Sequence, residues 1–542
     1  MRLRPHLSSS SVLYRSYRSQ PRPSQASRLG RAVFLCFCVL ATAGLVFLSY
    51  PQQNHAALAW IAWVPFVWGL FSIKRAWASF WYGWMTAFLF QAGLFYWVYY
   101  TCVHGGGLSV WLAGGAWLGL SALLAVQIGL WAACCCFLQR THFLFPLLAA
   151  CGFVTLEWLH QTLAFYGLGF PWIMLGYSQW NVPEVLQLAA YGGVYSISFV
   201  LILISALLGW ALAQARLKIG VGGGLVAAGI CVGLFVWGDT RLPLMENAAG
   251  RALQTRMLSV GLAQPNIDQY KKWDAAFEQE IVDVIAHFGQ EFQGKDLSLI
   301  VWPESVLPGD LQEEPYYQLM EDISSKTTAH QLIGSSIEQE EQQYVGAFLM
   351  TPFVEDLQAY KKVKLVPFGE YVPLAGVLKL IFPQVDVLGQ VGEFASGSRR
   401  QPLLRMGGIW LGSTICYEAI FPQLWRQQSR QGAQVFANLT NDAWFFTTAA
   451  PYQHLAANVL RAVETGRPVL RAANTGISAV IDRYGRVEQR TDLFTRTWLQ
   501  AQVQVPSPDE QTFYVKYGDA WVWLCAVLFG TCLIFAMVFL YE

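Results

Sequence analysis

No acidic residue precedes Glu157, while apolar stretches of roughly twenty residues recur from position 31 onward. Such stretches match what a bilayer core about 30 Å thick demands of a spanning helix. Candidate spans fall at 31–50, 56–73, 76–100, 108–138, 144–165, 185–214 and 219–238, with an eighth at 521–540. The chain is 54% hydrophobic and 13% charged, against about 25% charged for an ordinary soluble domain. These features predict a polytopic α-helical membrane domain of about eight spans joined to one large polar domain. The net charge of +1 says nothing about partners. Its distribution says more. Seven Arg lie in the first 31 residues, and the loops at 72–75, 139–140 and 216–218 carry cations. The loops at 51–55, 101–107 and 166–184 carry neither Lys nor Arg. By the positive-inside rule, both termini and the cationic loops lie in the cytoplasm and the polar domain lies outside. Beside a span, an Arg-rich tail is a topology signal rather than a nucleic-acid arm. The expected units are a disordered tail at 1–30, seven spans within 31–240, a polar domain at 241–518 and a last span within 519–542.

The polar region reads as alternating strands and helices. Strands are expected at 257–263, 298–302, 331–334, 344–351, 404–415, 435–439 and 479–482, and helices at 275–292 and 453–465. This pattern suits an α/β sandwich. Of the 11 cysteines, Cys416 alone lies between 242 and 519, so it has no disulfide partner within its domain. It follows the β-prone run Ile409-Trp410-Leu411 and a set of small residues, which presents the thiol at a tight turn. A buried, inert Cys is the plain structural reading of one thiol. Two more runs end in the same way. Leu299-Ile300-Val301-Trp302-Pro303 delivers Glu304, and the strand at Tyr360 delivers a Lys ahead of Pro367-Phe368-Gly369-Glu370. A thiol that acts as a nucleophile needs a base, because a free Cys titrates near 8.5, and attack on a carbonyl needs positive charge where the oxyanion forms. By chemistry alone Lys361, Lys362 and Lys364 all qualify. Glu157 sits inside a span, with His160 one turn on as its expected hydrogen-bond partner. The apolar stretch 372–388 reads equally well as a buried helix or as a segment dipping into lipid.

The motifs VWPES at 301–305, KLVPFGEYVPL at 364–374, ICYE at 415–418 and TNDAWF at 440–445, behind the spans, resemble the nitrilase superfamily. Within it they are most similar to the apolipoprotein N-acyltransferase family, which Gly169-Phe170-Pro171-Trp172 and Gly176-Tyr177-Ser178-Gln179 also resemble. The resemblance implies a four-layer αββα catalytic domain. It implies Glu304 as base, Lys362 as the cation (from the Tyr-x-Lys-x-x-Leu register) and Cys416 as nucleophile. Glu370, Tyr417 and Glu418 are implied as supporting residues, the Tyr417 N–H being a candidate oxyanion donor. Trp273, Asn441, Trp444 and Phe445 are implied near the substrate. The implied reaction moves a fatty acyl group from a phospholipid, through a Cys416 thioester, to the N-terminal amine of a diacylglyceryl apolipoprotein. The implied enzyme is a monomer in the bacterial inner membrane with a periplasmic catalytic domain, needing no cofactor and no metal and engaging no nucleic acid. Three positions depart from the family pattern: His160 stands for Arg, Lys364 for His and Phe446 for Gly. Lys364 is expected to face solvent. The rival readings are a membrane-tethered amidase using water, and a transporter or scaffold, which leaves the three strand-end residues unexplained.

Overall fold

A computed structural model describes residues 25–214, 217–251, 256–272, 274–352, 357–372 and 394–539. Trp273, the tail before Gln25 and all but the first residue of 372–388 lie outside the described residues. The N-terminal half is helical: α1 (Gln25–Ser49), α2 (Ala76–Leu94), α3 (Val110–Leu138), α4 (Phe145–Phe165), α5 (Val194–Ala213) and α6 (Leu217–Arg251). A further apolar helix, Ala520–Phe539, ends the described chain. Helix α1 starts at Gln25, inside the expected tail.

Among the described residues, five stretches are long and apolar enough to cross a membrane: Arg28–Ser49, Val110–Phe165, Val194–Ala213, Gly220–Leu242 and Ala520–Phe539. The second carries two expected spans, α3 and α4, joined through His142 at a φ of 51°. Helix α2, where the 76–100 span is expected, is 19 residues rich in Trp, Tyr and Phe and is not among those five stretches. The expected span at 56–73 is different. It forms a 3₁₀ turn, Ala56–Trp60, and a seven-residue helix, Val64–Leu70, restarted at Pro65. Rising about 1.5 Å per residue, this stretch falls short of the bilayer core. The span expected from 185 begins only at Val194, because Gly193 at φ +64° breaks the chain there. Trp63 is fully buried and meets Phe66, Phe90, Trp131 and Phe153 edge-on, with centroids 5.4–6.0 Å apart. On the outer faces, Trp111, Leu123 and Val527 are exposed, as lipid-facing side chains are and as those of a water-soluble protein rarely are in such density.

The polar half holds twelve strands among the described residues: β1 (Arg256–Gln264), β2 (Leu299–Val301), β3 (His330–Gln339), β4 (Gln342–Met350), β5 (Leu357–Lys361), β6 (Leu404–Met406), β7 (Ile409–Ile415), β8 (Val435–Thr440), β9 (Val469–Ala473), β10 (Ala479–Ile481), β11 (Val487–Arg490) and β12 (Thr497–Val505). They form two sheets, ordered β12-β1-β2-β3-β4-β5 and β11-β10-β9-β8-β7-β6. Side-chain alternation assigns the layers. Leu299 and Val301 join the core between the sheets, while Ile300 and Trp302 point outward beneath α7 (Glu278–Phe292) and α8 (Glu314–Thr327). Trp302 meets Phe288 and Phe292 there, at 6.3 and 5.8 Å. On the far side, α9 (Pro422–Arg430) packs Trp425 on Phe436 of β8 at 4.7 Å. Helix α10 (Ala450–Thr465) is buried along nearly its whole length between that sheet and the membrane helices. The result is the expected αββα sandwich. Each large apolar side chain buried in it contributes about 1.5–3 kcal/mol.

One expected strand, 404–415, is a hairpin instead. Gly407 and Gly408 have φ of +49° and +85°, and that pair of positive angles closes a two-residue turn between β6 and β7. Within each sheet the central strands run parallel: β1, β2 and β3 in one, β7, β8 and β9 in the other. The loops leaving the carboxyl ends of β2, β5, β7 and β8 build the site.

Candidate active site

Glu304 sits three residues past the Val301 end of β2, in a turn whose N–H groups bond to β3: Trp302 N–H to Leu332 O at 2.8 Å and Val306 N–H to Gly334 O at 3.0 Å. Gly334 makes this approach possible, because a Cβ there would lie 2.3 Å from the Pro303 carbonyl oxygen. Lys362 follows the last residue of β5, and its N–H is held by Val345 O of β4 at 2.8 Å. Cys416 follows β7 and has a φ of +49°, a left-handed conformation that costs a side-chain-bearing residue energy. This is the tight turn expected of the sequence.

These strand ends converge. Lys362 is fully buried, with Nζ 2.9 Å from Glu304 Oε1 and 2.5 Å from Glu370 Oε1. Glu304 Oε2 accepts the Asn441 N–H at 3.0 Å. Burial pulls Lys362 down, but Glu304 and Glu370 outweigh it and hold the ammonium well above the ordinary Lys range. Burial and the nearby Glu304 carboxylate raise the Cys416 thiol, against the opposing pull of Lys362. The resting sulfur is therefore a thiol, and any attack by it needs a base. Burial likewise raises Glu370, against the pull of Lys362.

Glu418 does not pair with a lysine. It accepts the Val363 and Lys364 N–H groups on Oε1 at 2.6 and 3.0 Å and the Ile415 N–H on Oε2 at 2.8 Å. The Tyr360 hydroxyl reaches both oxygens at 3.1 and 3.0 Å. It thereby ties the segment after Lys362 to the strand before Cys416. Lys364 does not project freely into solvent: it is half-buried, its Nζ donates to the Phe165 carbonyl at the end of α4, and it lies 4.0 Å from the Phe165 ring centroid. A cation suits a helix C-terminus. Burial, reinforced by Arg399, lowers it to about 8.

The membrane half forms part of the wall. The loop after α4 is pinned by Glu157, which accepts the Leu175 N–H at 2.8 Å, and by His160, whose Nε2 accepts the Phe170 N–H at 3.3 Å. The expected Glu157–His160 bond is thus replaced by two clasps on that loop. Phe170 and Trp172 stack on the Tyr417 ring, at 6.0 and 6.3 Å with interplanar angles of 17°. Phe445 meets Trp97 and Trp172 at 5.0 and 5.5 Å. Gln453 of α10 accepts both indole N–H groups, Trp97 at 3.1 Å and Trp172 at 2.9 Å. Trp444 is partly exposed, and its carbonyl accepts the Thr101 hydroxyl at 3.0 Å. The Asn441 side chain is engaged within the protein, donating to Gln269 at 2.6 Å and accepting from Ala443 N at 3.3 Å. Phe446 adopts φ 50°, ψ −147°, a region that favours Gly, so the Phe here is strained; its ring rests on His104 at 5.6 Å.

Several residues of the site went unread in the sequence. Lys272 is buried and donates to the Glu304 carbonyl at 3.3 Å. Burial lowers it to about 8 although Glu304 pulls the other way. Asp442, His454 and Arg471 form a buried cluster behind Cys416. Asp442 lies inside the TNDAWF motif, which was its one available signal; Arg471 lies on β9, a strand whose apolar pattern it interrupts. Among the described residues no group of three or more His, Cys, Asp or Glu is placed to hold a metal ion.

A family model described as Carbon-nitrogen hydrolase matches residues 259–510, and one described as Apolipoprotein N-acyltransferase N-terminal domain matches residues 42–207. The apolipoprotein N-acyltransferase of Geobacter metallireducens is 32% identical over 91% of this chain and 93% of its own. Those of Allorhizobium ampelinum and Pseudomonas syringae pv. tomato are 34% and 33% identical, over 83% and 92% of this chain and 86% and 96% of theirs. With its nitrilase-like sandwich, its apolar helices and this similarity along nearly its whole length, the chain belongs to the apolipoprotein N-acyltransferase family.

Proposed function

We propose that the chain transfers a fatty acyl group from a phospholipid to the N-terminal amine of a diacylglyceryl-cysteine on an apolipoprotein. Glu304 takes the Cys416 proton as sulfur attacks the donor's ester carbonyl. A C–S bond forms, and the carbonyl electron pair moves onto oxygen, facing Lys362 Nζ and the Tyr417 N–H. Collapse breaks the ester C–O bond. Glu304 returns the proton to the departing glyceryl oxygen, and a lysophospholipid leaves. The lipoprotein amine then attacks the thioester and gives one proton to Glu304; a C–N bond forms, the C–S bond breaks, and the proton passes back to sulfur. Glu370 and Glu418 hold Lys362 and its segment in place. Phe445, Trp444 and Asn441 border the substrates, and the family resemblance alone adds Trp273 to them. The observation that carries this reading is the buried Glu304–Lys362–Glu370 ladder beside Cys416, in a site walled by the membrane half's own aromatic residues. That wall favours lipid over a water route, and a thioester waiting for an amine needs water kept away.

The test uses the acyl-loaded protein in detergent. A diacylated lipopeptide with a free N-terminus is expected to discharge it, and the N-acetylated peptide is not. Equal discharge by both, or by buffer alone, means water is the acceptor and the amidase reading replaces this one.

We also infer an N-in, C-in topology in the bacterial inner membrane with a periplasmic catalytic domain, from the alternation of loop charge. The units run 31–240, 241–518 and 519–542 after the Arg-rich tail. Reporters fused at Arg140 and Gln401 are expected on opposite sides of the membrane; both in the cytoplasm contradicts this.

A further inference from the structure

The Cys416 carbonyl is 2.9 Å from His454 Nε2. A carbonyl only accepts, so Nε2 carries the hydrogen whichever protonation state the ring adopts. The ring has almost no freedom. Asp442 Oδ1 lies 2.9 Å from Nδ1, and Arg471 Nη2 lies 3.3 Å from it. Arg471 also donates to Asp442 Oδ2 at 2.6 Å and to Asn438 at 2.7 Å. Thr440 donates to Asp442 Oδ1 at 3.2 Å. A Cβ at Gly476 would lie 2.4 Å from Asp442 Oδ2, so the chain closes directly over the carboxylate. Trp172, from the membrane half, covers the imidazole at 5.3 Å. His454, Asp442 and Arg471 are each at most 1% exposed. Burial pushes Asp442 up, but Arg471 and His454 hold it at about 2, so the carboxylate stays charged.

This much buried order is spent on one peptide group. In a trans peptide the C=O and the following N–H point in opposite directions. Holding the Cys416 carbonyl therefore aims the Tyr417 N–H, and a donor on the carbonyl also polarises that N–H toward stronger donation. We propose that His454 is a positioning residue for the acylation step: its Nε2–H, set by Asp442 and Arg471, fixes the Cys416–Tyr417 peptide so that the Tyr417 N–H meets the oxyanion. The inference rests on the reading of Cys416 as the acylated nucleophile. It also explains how a left-handed Cys416 stays rigid without a disulfide.

The test compares two reactions at the same sulfur in His454→Leu and His454→Gln. Alkylation by iodoacetamide forms a C–S bond, expels iodide and creates no oxyanion. Acylation by phospholipid creates one. His454→Leu is expected to keep alkylation within about threefold of the unmodified chain and to slow acylation about 100-fold, the scale of losing one oxyanion donor. His454→Gln retains an N–H donor and is expected to hold the ratio of acylation to alkylation within about tenfold. A His454→Leu protein that loses both rates equally, or neither, overturns the proposal. If His454→Leu fails to elute as a folded species, the Gln variant decides: a ratio about 100-fold below the unmodified chain overturns the proposal, and a preserved ratio supports it. If the unmodified chain gains no acyl group at Cys416, the nucleophile assignment itself falls, a result distinct from either.

Discussion

Lys362→Ala is expected to lower turnover by about 10⁴-fold, combining the loss of an oxyanion cation with a misprotonated base. The ammonium pairs with both Glu304 and Glu370. Without it two buried carboxylates face each other, and the less costly state binds a proton. A protonated Glu304 cannot accept the Cys416 proton, so base and cation are lost together. Stability falls as well, by up to about 3–5 kcal/mol before proton uptake relieves it. If Glu304, Lys362 and Cys416 act as one unit, as proposed, adding Cys416→Ala makes the protein scarcely worse. Lys361→Ala is the control. Its ammonium bonds Gln339 and lies over the Tyr344 ring, 4.0 Å from the centroid, away from the site. Turnover with phospholipid and lipopeptide, alongside thermal unfolding, checks both variants. An inactive Lys361→Ala with an active Lys362→Ala shifts the assignment by one residue.

Glu418→Gln is expected to cost about 2–4 kcal/mol despite its matched shape. Every partner of Glu418 is a donor: three backbone N–H groups and the Tyr360 hydroxyl. An amide puts its own donor against one of them. Either the Ile415 side or the Val363 side then loosens, and with it the distance between Cys416 and Lys362. A displacement of about 1 Å at a reacting centre slows chemistry about 100-fold. The thermal midpoint is expected to drop by about 5–10 °C for a catalytic domain of this size. A Gln variant with an unchanged midpoint and unchanged turnover shows that the carboxylate is not the clamp described here.

What could be read in the sequence follows from how local each signal is. The turn at Cys416 is written in adjacent residues, a β-prone run followed by small ones, and it folds as such. Glu304 is legible for the same reason. The choice among Lys361, Lys362 and Lys364 is not, because three neighbouring ammonium groups are chemically alike until a strand end selects one; only the family register separated them. Glu418, implied only as a supporting residue, binds backbone N–H groups 54 and 55 residues away, and backbone donors leave no mark in a sequence. Glu157 and His160 share a helix face, which suggested a pair, but the unpaired N–H groups of Leu175 and Phe170 claimed them instead. Arg471 and His454 look like surface residues wherever burial is inferred from polarity. The span at 56–73 failed for a related reason: hydropathy registers apolar content but not the helix break ahead of Pro65.

The central claim is that Cys416 carries the acyl group between donor and acceptor, and the intact mass of the purified protein tests it most directly. Given phospholipid and no acceptor, the chain is expected to gain the mass of one fatty acyl group. Peptide mapping should place it on Cys416, and neutral hydroxylamine should remove it, as that reagent cleaves a thioester and spares an amide. Cys416→Ala should gain nothing. An unchanged mass, an adduct that survives hydroxylamine, or an equal gain by Cys416→Ala contradicts the account.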